Sequence, residues 1–485
     1  MPSFIRQVKP PLHFIPTAYN PWVMRLIHWA LPLLLKVRIR PWLPAGISRI
    51  EVDNVDHLVN LYAQLEAGKA RFLMAVRHVE VDDPLSGLYL CSTAVNRAAK
   101  KKGIRLQQPI HTHFLYERGM TIWAGNGLGW LLSRIGGTPI RRGRRPDWVG
   151  LKAARKLMTE GKMPMVVAPE GATNGHSERL GPLEPGVAQM ALWCAEDLQK
   201  ADRSERTFII PIGIQYRYEQ PNWSKLATLL SDLEHQSGLT DNQKDDFKPK
   251  ATHQNLAKDC HLRILHLGEH LITVFEKFYA RFYPTISPAE LSKEESENLP
   301  SEQDNCAERL SRLLDRALRV AEQFFNLSSK GNLADRCRRI EEASWQAIYR
   351  EDLPDLSTLS PLEKGLADWG AAAASLRELH MRIVESFVSA DVCYINEKPS
   401  FERCAEVTLL MSDALSRLTS TSKLPTRPKL GQRWVKMNVR SPIEITPDIL
   451  ADYQNNRRTG RKVVLNLTEK IQVALEGTIE SDKTQ

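Results

Sequence analysis

Between residues 70 and 216 the hydrophobic pattern switches back and forth between two periods, and this switching constrains the fold more than any other property of the chain. Short apolar runs at 72–76, 109–115, 121–124, 163–168 and 208–216 read as strands, with helical stretches at 84–102 and 148–159 among them. Such alternation implies a mixed, mostly parallel sheet with helices on its faces. From about residue 225 the pattern is helical, at 254–284, 303–328, 333–350, 361–390 and 401–419, broken by an acidic, Ser-rich linker at 290–305. β character returns at 433–445, and helical stretches follow at 447–456 and 468–476. The expected fold is therefore α/β, with a large all-helical insertion before the last strand. No internal repeat is evident.

Four segments follow from this reading. Residues 1–50 form a basic amphipathic segment, 51–224 an α/β domain, 225–430 the helical insertion, and 431–485 a strand and helix returning to the α/β domain. With 42% apolar and 25% charged residues in 485, neither a disordered nor a fibrous chain is expected.

The net charge of +9 points to an anionic partner, and its placement says more than its size. Residues 1–50 hold seven Lys/Arg and no acid; residues 97–156 hold fourteen Lys/Arg against Glu117 and Asp147. These local balances of +7 and +12 leave −10 for the rest. Two basic blocks inside an acidic protein are not the pattern of a uniform nucleic-acid coat.

The seven cysteines, 91, 194, 260, 306, 337, 393 and 404, are scattered and form no C-x-x-C pair. Free thiols in a reducing compartment are expected, not a disulfide frame or a zinc ribbon. No secretory signal is expected, and the longest uncharged candidate for a span, 119–133, has 15 residues and four glycine or asparagine interruptions. Residues 19–44 instead interleave Trp22, Trp29 and Trp42 with Arg25, Lys36, Arg38 and Arg40. That is the composition of a helix lying in a bilayer interface, where each nearby cation adds about 1 kcal/mol on an anionic leaflet. The alternative is an amphipathic helix packed on the protein's own core.

Four motifs carry candidate chemistry. His78 ends an apolar strand and Asp83 follows five positions on; a carboxylate beside an imidazole fixes one nitrogen as donor and leaves the other as base. Asp83 is equally placed to cap the next helix, with Pro84 at its first position. The second motif, Gly136-Gly137-Thr138-Pro139-Ile140-Arg141-Arg142, continues through Arg144 and offers arginines to a phosphate. The third, Pro169-Glu170-Gly171, is a tight turn after a strand; the fourth, Ile210-Pro211-Ile212-Gly213, lies within one.

In this order the four motifs resemble those of the phospholipid/glycerol acyltransferase family, which includes the lysophosphatidic acid acyltransferases. The resemblance covers roughly residues 20–220 and resumes at 433–480. It implies that His78 is the general base and Asp83 orients it. It further implies that Arg142, with Arg141 and Arg144 as helpers, binds an acceptor phosphate. Glu170 and Gly171 would bind the acceptor and shape the site, and Pro211 would lie near the acyl-thioester site. Arg77 before the histidine, Pro139 in the second motif and Ala172 after Glu-Gly depart from the family pattern and bear on which acceptor is used.

The expected activity is transfer of a fatty acyl group to a lysophospholipid hydroxyl, with 1-acylglycerol 3-phosphate as acceptor and phosphatidic acid as product. Acyl-CoA or acyl-acyl carrier protein would be the donor substrate; no cofactor, metal or nucleic acid is expected. The expected location is peripheral, on a membrane phospholipid surface at its cytoplasmic face. The alternatives are an idle relative that scaffolds through its helical insertion, and a nucleic-acid or partner binder. His266-x-x-Glu269-His270 fits an inverted zinc-protease signature, but Gly268 interrupts it and no third ligand is evident. His111-x-His113 reads as a strand pair rather than a ligand pair.

Overall fold

Among the described residues eight strands form one sheet: β1 (Ile47–Asp53), β2 (Ala70–Val76), β3 (His113–Glu117), β4 (Gly137–Ile140), β5 (Met165–Val167), β6 (Arg206–Tyr218), β7 (Arg433–Val439) and β8 (Ile443–Ile445). The computed structural model of the protein describes residues 5–12, 14–37, 46–121, 125–141, 147–171, 173–239, 253–286, 306–353, 355–387, 392–419 and 427–479. The strand order is β1-β7-β6-β2-β5-β3-β4, with β8 also paired to β6. Strands β2 to β6 run parallel, and β7 and β8 run antiparallel to β6. The carboxyl ends of β2 to β6 and the amino end of β7 therefore share one sheet edge.

Chain alternation explains the two cores. On β2, Phe72 and Met74 face one apolar layer with Ile210, Ile212, Met437 and the helices Asp56–Glu66 and Pro21–Lys36. Leu73 and Ala75 face the other, packed with Met165, Ile209 and the helices Trp148–Glu160, Gly186–Lys200 and Arg457–Glu476. A strand covered on both faces needs apolar side chains at every position, which is why 72–76 reads as a continuous apolar run.

Pro211 sits inside β6, where a missing N–H normally costs a ladder bond. Its carbonyl accepts from Arg440 N at 2.9 Å, on the side where β7 gives way to β8. In a strand a residue's N and C=O point the same way, so the missing donor faces that corner and the β2 ladder stays intact.

Three sequence expectations require correction. Thr121 belongs to a helical turn, not a strand, and 122–124 lie outside the described residues. Residues 137–140, within the second motif and not expected as a strand, form the edge strand β4. Gly137 is there because a Cβ would lie 2.8 Å from the Phe114 ring of β3. Strand β1 was not expected, since it pairs only with β7 and carries exposed Arg49 and Glu51, which hide its period.

The chain divides into two units. The α/β unit comprises residues 14–141, 146–220 and 431–485, and the helical unit 1–13, 142–145 and 221–430. The first fifty residues are thus shared between the units. In the helical unit the N-terminal segment packs on helices: Val8 N donates to Asp368 Oδ1 at 2.8 Å and Lys9 N to the Ile348 carbonyl at 2.7 Å. The helices are Trp223–Ser237, His253–Phe282, Cys306–Phe325, Leu333–Ile348, Pro361–Phe387, Val392–Glu397 and Phe401–Thr419.

Candidate active site

His78 is the second residue beyond β2, on the edge where open α/β sheets gather their ligands. Its Nδ1 lies 2.9 Å from Asp83 Oδ2. That oxygen also accepts from Val79 N (2.7 Å) and Glu80 N (3.1 Å), while Asp83 Oδ1 accepts from the Tyr216 hydroxyl at 2.6 Å. Asp83 begins the helix Asp83–Tyr89, but its carboxylate ties back the turn before it rather than capping the amides ahead. With Asp83 accepting, the proton on imidazole belongs to Nδ1. Nε2 is then an acceptor on a side chain that is 30% exposed, with no protein hydrogen bond among the described residues.

The third motif joins this turn directly. Glu170 Oε1 accepts from His78 N at 3.1 Å, and Oε2 accepts from Asn174 Nδ2 (2.6 Å) and Gly181 N (2.8 Å). Two further backbone bonds, Asn174 N to the His78 carbonyl and Gly175 N to the Val79 carbonyl, stitch the loops together. Gly171 turns the chain with φ +76°, a conformation that a side chain disfavours. Burial raises the Glu170 carboxyl above its usual value, opposed by Arg77, whose Nε lies 3.9 Å away.

Arg77, the departure before the histidine, is 1% exposed. Its guanidinium donates to the carbonyls of His176 (3.0 Å), Ser177 (2.8 Å) and Arg179 (2.6 Å), so it clamps the 170–181 loop. A lysine or a small polar residue has no fork to reach three carbonyls.

The other expected residues lie elsewhere along the same edge or outside the described residues. Arg141 follows β4, and its backbone N donates to Asp147 Oδ2 at 2.9 Å. Strand β4 is three places from β2, about 14 Å away at ordinary strand spacing. Arg142 and Arg144 lie outside the described residues. Pro211 pairs with Ala75, three residues before His78. Arg118, unremarked in the sequence, follows the neighbouring β3 and pairs with Asp147, the N-cap of the helix Trp148–Glu160.

A second charged layer lies beneath the turn. Arg433 Nη2 donates to Asp82 Oδ2 at 2.8 Å, its Nη1 lies 3.5 Å from Glu80 Oε1, and its guanidinium stacks 4.6 Å from the Tyr216 ring centre. Burial raises the Asp82 carboxyl to about 6, against the pull of Arg433 and with help from Glu80 and Asp83. Burial, then Asp82 and Asp83, lift the Tyr216 phenol well above 10, which keeps it a donor. Sequence reasoning missed Tyr216, Arg433 and Asp82. The signal was available for Arg433: in β7 alternate residues 433, 435, 437 and 439 face inward, and three of those four are apolar.

The histidine pair at 111 and 113 is structural. His111 Nε2 meets the Ile135 carbonyl (2.7 Å) and His113 Nδ1 the Gly136 carbonyl (3.2 Å), holding the glycine turn that enters β4. In the helical unit His270 Nε2 meets the Ser237 carbonyl at 2.9 Å and Glu269 pairs with Arg309. Among the described residues no group of three or more His, Cys, Asp or Glu is placed to hold a metal ion.

The arrangement suits removal of a proton from a hydroxyl by Nε2, with Asp83 stabilising the imidazolium that forms. Comparison with known protein families places part of the chain. Residues 106–215 match the family described as Acyltransferase, a segment that starts after the His78 turn and takes in the second, third and fourth motifs. No curated protein and no solved structure matches the chain. The chain therefore carries, at residues 106–215, a domain of the acyltransferase family of the lysophosphatidic acid acyltransferase type.

Proposed function

We propose that the protein moves a fatty acyl group from an acyl thioester to the free hydroxyl of 1-acylglycerol 3-phosphate, giving phosphatidic acid. The observation that carries this reading is the His78 Nδ1–Asp83 Oδ2 contact of 2.9 Å, which leaves Nε2 as the acceptor of a side chain that is 30% exposed. Nε2 takes the acceptor's hydroxyl proton as its oxygen attacks the thioester carbonyl. The C–S bond breaks, and the departing thiolate recovers the proton from the imidazolium. A positioned base of this kind contributes about 10²–10⁴-fold.

The acceptor phosphate is assigned to Arg142, with Arg141 and Arg144 as helpers; of these Arg141 follows β4, whose carboxyl end lies on the sheet edge that carries His78. The donor is acyl-CoA or acyl-acyl carrier protein; both present phosphate to a basic surface. An assay with both donors, and with acceptors bearing and lacking the phosphate, tests this: equal rates on the two acceptor types contradict the clamp.

The enzyme would work as a peripheral protein on the cytoplasmic face of a membrane. No described helix is long and apolar enough to cross one. The helix Pro21–Lys36 buries Met24, Leu31 and Leu35, yet Trp22 (72% exposed), Leu26, Trp29 (81%) and Leu33 form an outward stripe at helical spacing. Arg25 lies over Trp22, and the nearby helix Asn126–Arg134 adds exposed Trp130 with Arg134 across it. Backbone bonds from Ala18 N and Asn20 N to the carbonyls of Ser133 and Arg134 tie the two helices together. An apolar stripe rimmed by cations matches an anionic bilayer surface.

A further inference from the structure

Asp83 is pinned from two directions. The turn backbone and His78 occupy Oδ2, and Tyr216 of β6 occupies Oδ1 from inside the sheet at 2.6 Å. With only Oδ2 engaged, the carboxylate retains freedom to tilt; the phenol fixes its second oxygen. The same turn is held a third time by Arg433, which reaches Asp82 and Glu80 from β7. That reach follows from topology: β7 is antiparallel to β6, Arg433 pairs with Tyr218, and the amino end of β7 therefore falls at the edge that carries His78.

The charged and titratable groups facing the imidazole from every element around it are Asp83, Asp82 and Glu80 on its own turn, Tyr216 from β6, Arg433 from β7, Arg77 from the end of β2, and Glu170 from the following loop. Four carboxyls thus stand with two guanidiniums around this turn.

We propose that Tyr216 and Arg433 are positioning residues for His78: Tyr216 fixes the carboxylate that orients the imidazole, and Arg433 holds the turn through Asp82 and Glu80. The proposal rests on the reading of His78 as base. It also makes the site dependent on residues that follow the helical unit in sequence, since Arg433 comes after residue 430.

The test uses the full chain with Tyr216→Phe and Arg433→Lys. Two readouts are needed: kcat and KM with an acyl-CoA and 1-acylglycerol 3-phosphate, and the His78 titration by NMR of ¹⁵N-histidine protein, assigned with His78→Gln. Loss of a hydrogen bond to a charged group predicts a kcat for Tyr216→Phe lower by about 10- to 100-fold. KM should stay within about threefold, as expected for a loss felt in the transition state. The His78 pKa should move upward, because the carboxylate that loses a donor presents more charge to the imidazole. Arg433→Lys keeps the charge but not the bridge, and should lower kcat in the same way. Should Tyr216→Phe fail to fold, Arg433→Lys carries the test.

Wild-type kcat and an unmoved His78 titration in the folded variants, with His78→Ala inactive, overturn the proposal while leaving the base intact. Activity retained in His78→Ala overturns the functional reading instead; the NMR titration of Tyr216→Phe then decides the positioning proposal by itself.

Discussion

The backbone N–H of His78 donates to Glu170 Oε1 at 3.1 Å, so two motifs separated by 92 residues meet in a single hydrogen bond. Glu170 also accepts from Asn174 and Gly181, and its fourth neighbour is the buried Arg77 guanidinium. Here the glutamate builds the wall behind His78. Glu170→Gln preserves shape but replaces an acceptor oxygen with a donor amide facing donors. A stability loss of about 1–3 kcal/mol is expected. Denaturant midpoints with an unchanged slope measure it, and kcat should fall in parallel as the turn relaxes.

Arg77 gives a separate prediction. Arg77→Lys keeps the charge and loses the fork that spans three carbonyls between 176 and 179. The 170–181 loop should then open to limited proteolysis and show faster amide exchange, while β2 amides remain protected. Equal exchange in both proteins contradicts the clamp.

Gly213 is a test of the returning C-terminus. A Cβ there would lie 2.1 Å from Thr478 Oγ1 and 2.4 Å from Thr478 Cβ, a residue just beyond the helix Arg457–Glu476. Gly213→Ala should cost about 1–3 kcal/mol by overpacking. Adding Thr478→Gly should restore part of the loss, because it removes these two atoms and the Thr478 Cγ2 that would lie at 3.0 Å.

Acid should loosen the seat of the N-terminal helix. His111 is fully enclosed and burial pushes its pKa down to about 3; His28 of Pro21–Lys36 packs against it and is pushed down to about 4. For both, the unfolded chain takes up a proton near 6.5 that the folded protein refuses. Stability is therefore complete above pH 6.5 and falls as pH drops toward 3–4. Below 6.5 the loss at His111 amounts to about 1.4 kcal/mol per pH unit. Asp82, raised to about 6, acts with the opposite sign, losing stability as pH rises from about 4 to 6. Thermal unfolding between pH 5 and 7 in the wild type and His111→Asn separates them, the variant showing the flatter acid slope.

The membrane surface is testable without disturbing the fold. Removing residues 1–45 would strip Leu31 and Leu35 from the core, so flotation of a truncated protein mixes two effects. The triple substitution Trp22→Ser, Leu26→Ser, Trp29→Ser touches only exposed positions. Flotation on vesicles containing phosphatidylglycerol should fall at least about 10-fold with the melting temperature little changed. Undiminished flotation would return the stripe to an ordinary surface.

Much of this architecture was legible because burial imposes a period. β2 and β6, covered on both faces, announce themselves as apolar runs, and the helices of the helical unit follow their 3.6-residue repeat. Legibility failed where strands are half covered or very short. Arg49 and Glu51 disguise β1, and β4 is four residues containing a glycine and a proline. At the site, His78, Asp83 and Glu170 were visible as local motifs, and the structure brings them together. Tyr216 and Arg433 were not, because their partners lie 133 and 351 residues away in the chain. Only strand register, a property of the whole sheet, makes them neighbours.

The most direct measurement is the rate of acyl transfer to 1-acylglycerol 3-phosphate by purified His78→Ala, with acyl-CoA and acyl-acyl carrier protein each supplied as donor. Loss of a positioned base predicts a kcat lower by about 10²–10⁴-fold with the fold intact. A rate within twofold of wild type would contradict the account.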